Sequence, residues 1–137
     1  MDLIQPVTNR YKSREIPLGA TIAQGKTIAF NYTPDVQTGL IYCIRAYSQT
    51  DWAVSPGGAI VVTTAGLANI VVTLVVGEEE EIQQYPLTDF RPASNAGFLR
   101  LLNNKKLNLV KSYITLLSTA SLAANQSVMF GFDYKPM

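Results

Sequence analysis

Four scattered aspartates, Asp35, Asp51, Asp89 and Asp133, and a run of four glutamates, Glu78, Glu79, Glu80 and Glu81, are among the groups in this sequence equipped for acid–base or metal chemistry. A carboxylate-driven hydrolase needs two such groups held several ångströms apart in a cleft. The four aspartates qualify for that role by elimination only. The glutamate run could supply oxygen ligands to calcium. Successive side chains on an extended chain point to opposite faces, however, so four neighbours do not converge on one ion without a tight loop. A solvated acidic patch is the expected reading. The sequence contains no histidine, which removes the commonest general base and the commonest zinc ligand. Its single cysteine, Cys43, lies in the apolar run Leu40-Ile41-Tyr42-Cys43-Ile44. Without an activating histidine it reads as a small buried hydrophobe, and alone it forms no intrachain disulfide. No glycine-rich phosphate loop occurs. The expectation is a protein that is not an enzyme, with no catalytic residues, cofactor or metal.

What remains is surface chemistry. Arg10, Lys12 and Arg14 cluster near the N-terminus, and Arg91, Arg100, Lys105, Lys106 and Lys111 occur in a stretch with no acidic residue between Phe90 and Phe132. The sharper reading of this unevenness is pairing between subunits, with Glu78–Glu81 meeting a neighbour's Lys105 and Lys106. Such complementarity sets register and orientation more than affinity. A phosphate backbone contacted by Tyr11 and Arg14 is the competing target. A formal net charge of +1 and a pI near 7.8 argue against binding nucleic acid through bulk charge. Trp52, Tyr85 and Phe90 are candidate interface anchors, since aromatic residues dominate binding hot spots. Trp52, Tyr47 and Tyr85 could instead stack on sugars in a carbohydrate-binding or adhesin-like module.

Elements must hold these residues in place. The chain has 137 residues, 47% hydrophobic and only 15% charged, against about 25% charged in ordinary soluble domains. That balance implies a large core together with exposed apolar surface suited to subunit contact. Residues 1–15 read as a polar N-terminal arm and residues 16–137 as one domain. Period-2 alternation and β-branched content predict strands over 26–32, 39–47, 59–64, 69–76, 97–102 and 127–134. The apolar stretch 69–76 is expected to be covered on both faces. Residues 82–95, with Pro86 and Pro92, read as an irregular loop, and Asn103-Asn104-Lys105-Lys106 as a polar turn. Residues 107–118 fit either a helical stripe or a strand slipped at Val110-Lys111, and their composition favours the strand. About eight strands with frequent turns predict an all-β, antiparallel, jelly-roll-like β-sandwich. No window holds the roughly 20 consecutive apolar residues of a transmembrane helix. The first residues lack the basic and long apolar regions of a signal peptide, which fits a protein made and assembled inside a cell.

Residues 20–30 and 120–130 echo one another without gaps. Ala20/Ala120, Ala23/Ala123 and Phe30/Phe130 are identical, and most other pairs are conservative. Gly25 and Asn125, which both tolerate positive φ, fall at matching places. Two similar hairpins, one near each end of the chain, are expected.

With its polar basic arm, low charge, about eight strands and lack of a catalytic set, the sequence resembles viral structural proteins of jelly-roll or related β-sandwich type. The segment Ser118-Thr119-Ala120-Ser121-Leu122-Ala123-Ala124-Asn125-Gln126-Ser127, running into Val128–Tyr134, looks like the closing hairpins of bacteriophage virion proteins. The resemblance implies a capsid, penton, decoration or spike-base subunit. It would be located in the virion, assembled in the host cytoplasm, and partnered by further copies of itself and by other virion proteins. It transfers no functional residue to this chain.

Overall fold

The computed structural model describes residues 10–30, 40–76, 79–91, 99–100 and 108–135. Eight strands run through them: β1 (Arg10–Pro17), β2 (Thr27–Ala29), β3 (Leu40–Tyr47), β4 (Ile70–Val76), β5 (Glu79–Pro86), β6 (Leu99–Arg100), β7 (Tyr113–Leu116) and β8 (Ser127–Lys135). A single-turn helix, α1 (Thr64–Leu67), precedes β4, and a 3-10 turn (Leu87–Phe90) follows β5. The strands form two four-stranded antiparallel sheets, ordered β1-β8-β3-β6 and β2-β7-β4-β5. The all-β expectation holds.

The central strands follow their hydrophobic patterns. Ile70 through Val75 are all buried, as expected for a strand apolar on both faces. On β8, Val128, Phe130, Phe132 and Tyr134 point inward with Ile16 of β1 and Ile41, Ile44 and Ala46 of β3. Ile70, Val72, Leu74, Ile114 and Leu116 of the second sheet belong to the same hydrophobic cluster, so one core takes side chains from both sheets. Phe30 packs on Phe130 with ring centroids 4.9 Å apart. In β3 the register shifts between Ile41 and Cys43. This bulge keeps Ile41 on the inner face with Ile44 and Ala46, where strict alternation would have turned it outward.

Several sequence expectations are corrected. Residues 10–15 are not an arm: they are paired along β1 with β8, from Arg10 opposite Tyr134 to Glu15 opposite Met129. Their polar composition carries little β-propensity, and the ladder to β8 supplies the structure instead. Residues 82–86 are not loop but the second half of β5, paired with β4. Residues 59–64 form only isolated bridges, Val54 with Ile60 and Val61 with Ser127, before the chain turns into α1. Thr63 caps that turn by accepting from the Gly66 amide. The 107–118 ambiguity resolves by division. A turn at Asn108–Lys111 is closed by the Lys111 amide donating to Asn108 Oδ1 at 3.3 Å, and β7 begins two residues later. Of the strand expected over 97–102, the described part is Leu99–Arg100. The turn expected over 103–106 lies outside the described residues.

The internal echo is real as geometry, but each copy is a corner rather than a hairpin. In both, the amide at position 26 or 126 donates to the carbonyl at 23 or 123, at 3.2 and 3.4 Å. Gly25 and Asn125 have φ of +84° and +65°. Ile22 and Leu122 both pack on the core from the incoming side. One corner leads from β1 to β2 and the other from β7 to β8, so each carries the chain from one sheet to the other. They lie side by side: Asn125 N donates to Gly19 O at 2.8 Å, and Leu18 N to Gln126 O at 2.8 Å.

Candidate functional site

The antiparallel register fixes which residues share the outer face of the β1-β8-β3-β6 sheet. Tyr11, Asp133 and Cys43 form one row, Ser13, Gly131 and Arg45 the next, and Glu15, Met129 and Tyr47 a third. Gly131 leaves a gap in the middle of this face. The Tyr11 ring fills it, for a Cβ on Gly131 would collide with Tyr11 Oη and stand 2.7 Å from its Cε1. Reaching across β8, Tyr11 Oη meets Tyr47 Oη at 2.6 Å. Burial and the bond to Tyr47 push the Tyr11 phenol well above the ordinary tyrosine range, so it stays protonated. Beside this pair Arg45 forms an ion pair with Asp133.

The segment after β3 folds back over the third row. Trp52 stands edge-on to Tyr47, centroids 5.6 Å apart. The Glu15 carboxylate accepts from Ser127 Oγ at 2.7 Å, from Ser55 Oγ at 2.5 Å and from the Gly57 amide at 3.3 Å. Met129, between Glu15 and Tyr47, is fully buried beneath them. Burial alone would raise the Glu15 carboxyl, but the hydrogen bonds from Ser127, Ser55 and Gly57 outweigh it and hold the group below the ordinary carboxylate value. Asp51 behaves alike. Burial opposes its ionisation, and a two-pronged contact with Arg91, at 3.0 Å and 3.2 Å, together with the Ser48 amide holds its carboxyl low.

The outer face of the other sheet carries a shallow concavity of about 290 Å³ lined by Thr73, Gln83, Gln84 and Tyr113. It sits where β5 crosses β4 with an irregular register.

The interface candidates fall at different places. Lys12 and Arg14 lie on β1 in register with Phe132 and Phe130, at the open edge of the core-facing side, and Arg14 Nε donates to Phe30 O at 3.4 Å. Arg10, the first residue of β1, is in register with Tyr134 of β8. Tyr85 is in register with Val72 and packs against the core, while Tyr47 and Trp52 stand on the outer face of the other sheet. The three aromatics suggested for sugar stacking therefore do not share a surface. Glu79, Glu80 and Glu81 open β5, and Phe90 closes the 3-10 turn. Glu78, Lys105 and Lys106 lie outside the described residues, as does Asp35. Of the remaining aspartates, Asp51 and Asp133 are each engaged by an arginine on separate rows of contacts. Sequence reasoning missed the Glu15 clasp, the Arg45–Asp133 pair and the concavity. One signal was available, a glycine among the large residues of β8.

No protein-family model, curated protein or solved structure matches this chain. Among the described residues no helix is long and apolar enough to cross a membrane.

Proposed function

We propose that this chain is a non-enzymatic virion structural protein, a capsid, penton, decoration or spike-base subunit, that works by self-assembly and protein–protein contact, and that its two sheets pack as a jelly roll. The observation that carries the reading is the pairing order. First strand pairs with last, second with seventh, third with sixth and fourth with fifth, all antiparallel. The β8–β3 and β7–β4 contacts then place alternate pairs in the same sheet. A long antiparallel ribbon rolled up on itself gives this order, and viral shells are a frequent use of that architecture.

Fold alone does not decide function, so the surface must agree. Val54 and Ile60 are opposite one another in an isolated bridge and both exposed, and Val110 and Leu117 are exposed as well. Aliphatic groups held out by ordered backbone are suited to contact with another copy. Among the described edge strands, β1 carries charges, β5 charges and register shifts, and β2 is only three residues long; these features resist further strand pairing, so subunits meet through side chains rather than by extending a sheet.

Multi-angle light scattering on the full chain, at several concentrations and at low and high salt, tests this. A defined multimer is expected. A monomer at every concentration that also fails to assemble with co-encoded structural proteins would overturn the reading.

A further inference from the structure

The concavity on the outer face of the β2-β7-β4-β5 sheet is built by a local departure from regular pairing. Val72 stands opposite Tyr85 and Leu74 opposite Ile82, so Thr73 alone faces both Gln83 and Gln84. The extra residue is absorbed as a bulge, with Gln84 at φ +48°. That region of backbone space is unfavourable for a residue with a side chain. Here the Gln84 amide turns away from the ladder and donates to Thr73 Oγ1 at 3.3 Å. Thr73 is itself buried, and Tyr113 stands directly opposite it on β7. The bulge thus aims two consecutive, exposed glutamine side chains at one hollow floored by a hydroxyl and flanked by a phenol. Bulges that re-aim side chains in this way are frequent beside binding sites.

The chemistry of the lining selects a ligand. Among the described residues the lining is a hydroxyl, a phenol and two carboxamides; each donates and accepts hydrogen bonds, and none of the four carries a formal charge. Phosphates, carboxylates and metal ions gain no counter-charge from them. A ligand rich in paired donors and acceptors, without charge and with an apolar C–H face for the tyrosine ring, gains from all four. The volume, about 290 Å³, stands at the small end of ligand sites, which run from roughly 300 Å³ upward. It suits one ring rather than a chain of them. We propose that this concavity binds a single neutral pyranose unit. The site is separate from Trp52 and Tyr47 and does not depend on self-assembly.

The test is a titration of the ¹⁵N-labelled full chain with methyl α-glucopyranoside, methyl β-galactopyranoside and methyl α-mannopyranoside, with N-acetylneuraminic acid as the charged control. At least one neutral glycoside is expected to shift the backbone amides of Thr73, Gln83, Gln84 and Tyr113 and the two glutamine carboxamides, with millimolar affinity. Gln83→Ala is expected to weaken binding about tenfold, the worth of one good hydrogen bond. Tyr113→Phe keeps the ring and the fold and should weaken it less than Gln83→Ala. The proposal is overturned by an absence of shifts with all three glycosides at about 100 mM, well above a millimolar dissociation constant. Shifts centred on the Trp52 indole, a stronger response to the anionic control, or binding unchanged by Gln83→Ala would overturn it equally. Each outcome is read whether the chain is a monomer or a multimer, so failure here is distinguishable from failure of the assembly reading.

Discussion

Two glycines of this chain are both crowded, yet they should respond differently to the same added methyl group. At Gly131 a Cβ would collide with the far end of the Tyr11 ring, and a side chain on an edge strand can swing away. The loss is then the Tyr11–Tyr47 hydrogen bond, about 1 kcal/mol. At Gly66 a Cβ would stand 2.5 Å from the Ser121 carbonyl oxygen, 2.8 Å from Val62 Cγ1 and 2.9 Å from Leu122 Cδ2. That carbonyl is backbone, and its segment is held nearby by Asn69 Nδ2 donating to Ala120 O at 2.6 Å. Overpacking against groups that cannot move costs about 1–3 kcal/mol, and Gly66→Ala should fall at the upper end. Urea unfolding of the two variants measures the difference directly. In a Tyr11→Ala background the Gly131→Ala penalty should vanish, since the two residues act as one unit. A Gly131→Ala cost that equals the Gly66→Ala cost, or that persists without Tyr11, would contradict this account.

The elements differ in how they handle exposure of their backbone. Among the described residues β1, β2 and β5 each stand at the edge of a sheet with a strand on one side only, and each edge is blunted in its own way. β2 is three residues long. β5 opens with three glutamates and has two register shifts against β4. β1 places Lys12 and Arg14 on its core-facing side, in register with Phe132 and Phe130. Short length, bulges and inward-pointing charge are the recognised defences against edge-to-edge aggregation. Replacing Lys12 and Arg14 together by valine should therefore leave the circular dichroism spectrum intact and sharply increase aggregation, followed by thioflavin fluorescence and scattering. An unchanged aggregation rate would mean that these charges do not guard the edge. The same devices explain what the sequence made legible. Strands β3, β4 and β8 are flanked on both sides and strongly buried, so their apolar patterns were readable. Strands β1 and β5 stand at sheet edges among the described strands. The charges on β1 erased its pattern, which is why residues 10–15 read as an arm. In β5 it was Pro86, the last residue of the strand, together with Pro92, that made residues 82–95 read as a loop. The corners at 20–30 and 120–130 were legible in part. Their matched side chains and positive-φ positions were visible, but which strands they joined depended on contacts about a hundred residues apart. The concavity was not legible, because it arises from a register shift and not from any spacing of residue types.

At the scale of the whole molecule, the segment after β3 acts as a clasp. Ser55 and Gly57 bind Glu15 on the outer face of one sheet. Four residues before Ser55, Asp51 binds Arg91, which follows β5 of the other sheet and its 3-10 turn. Both carboxyls are held below their ordinary values of 4.5 for Glu15 and 3.8 for Asp51. The sign of the pH dependence follows from that direction. On acidification the unfolded chain takes up protons at these groups before the folded chain does, so protonation favours unfolding. The stability they contribute is complete above about pH 4.5 and declines as the pH falls through the lower folded-state values. Denaturant midpoints measured from pH 7 down to pH 2.5 should therefore be level at first and then drop. Glu15→Gln should be less stable than the parent at neutral pH, because an amide replaces a carboxylate that accepts three hydrogen bonds. It should also lose less on acidification, so that the two curves converge. Asp51→Asn should converge in the same way at somewhat lower pH. Curves that stay parallel to the parent down to the lowest pH would show that neither carboxyl is coupled to folding, and that the clasp is held by its backbone contacts instead.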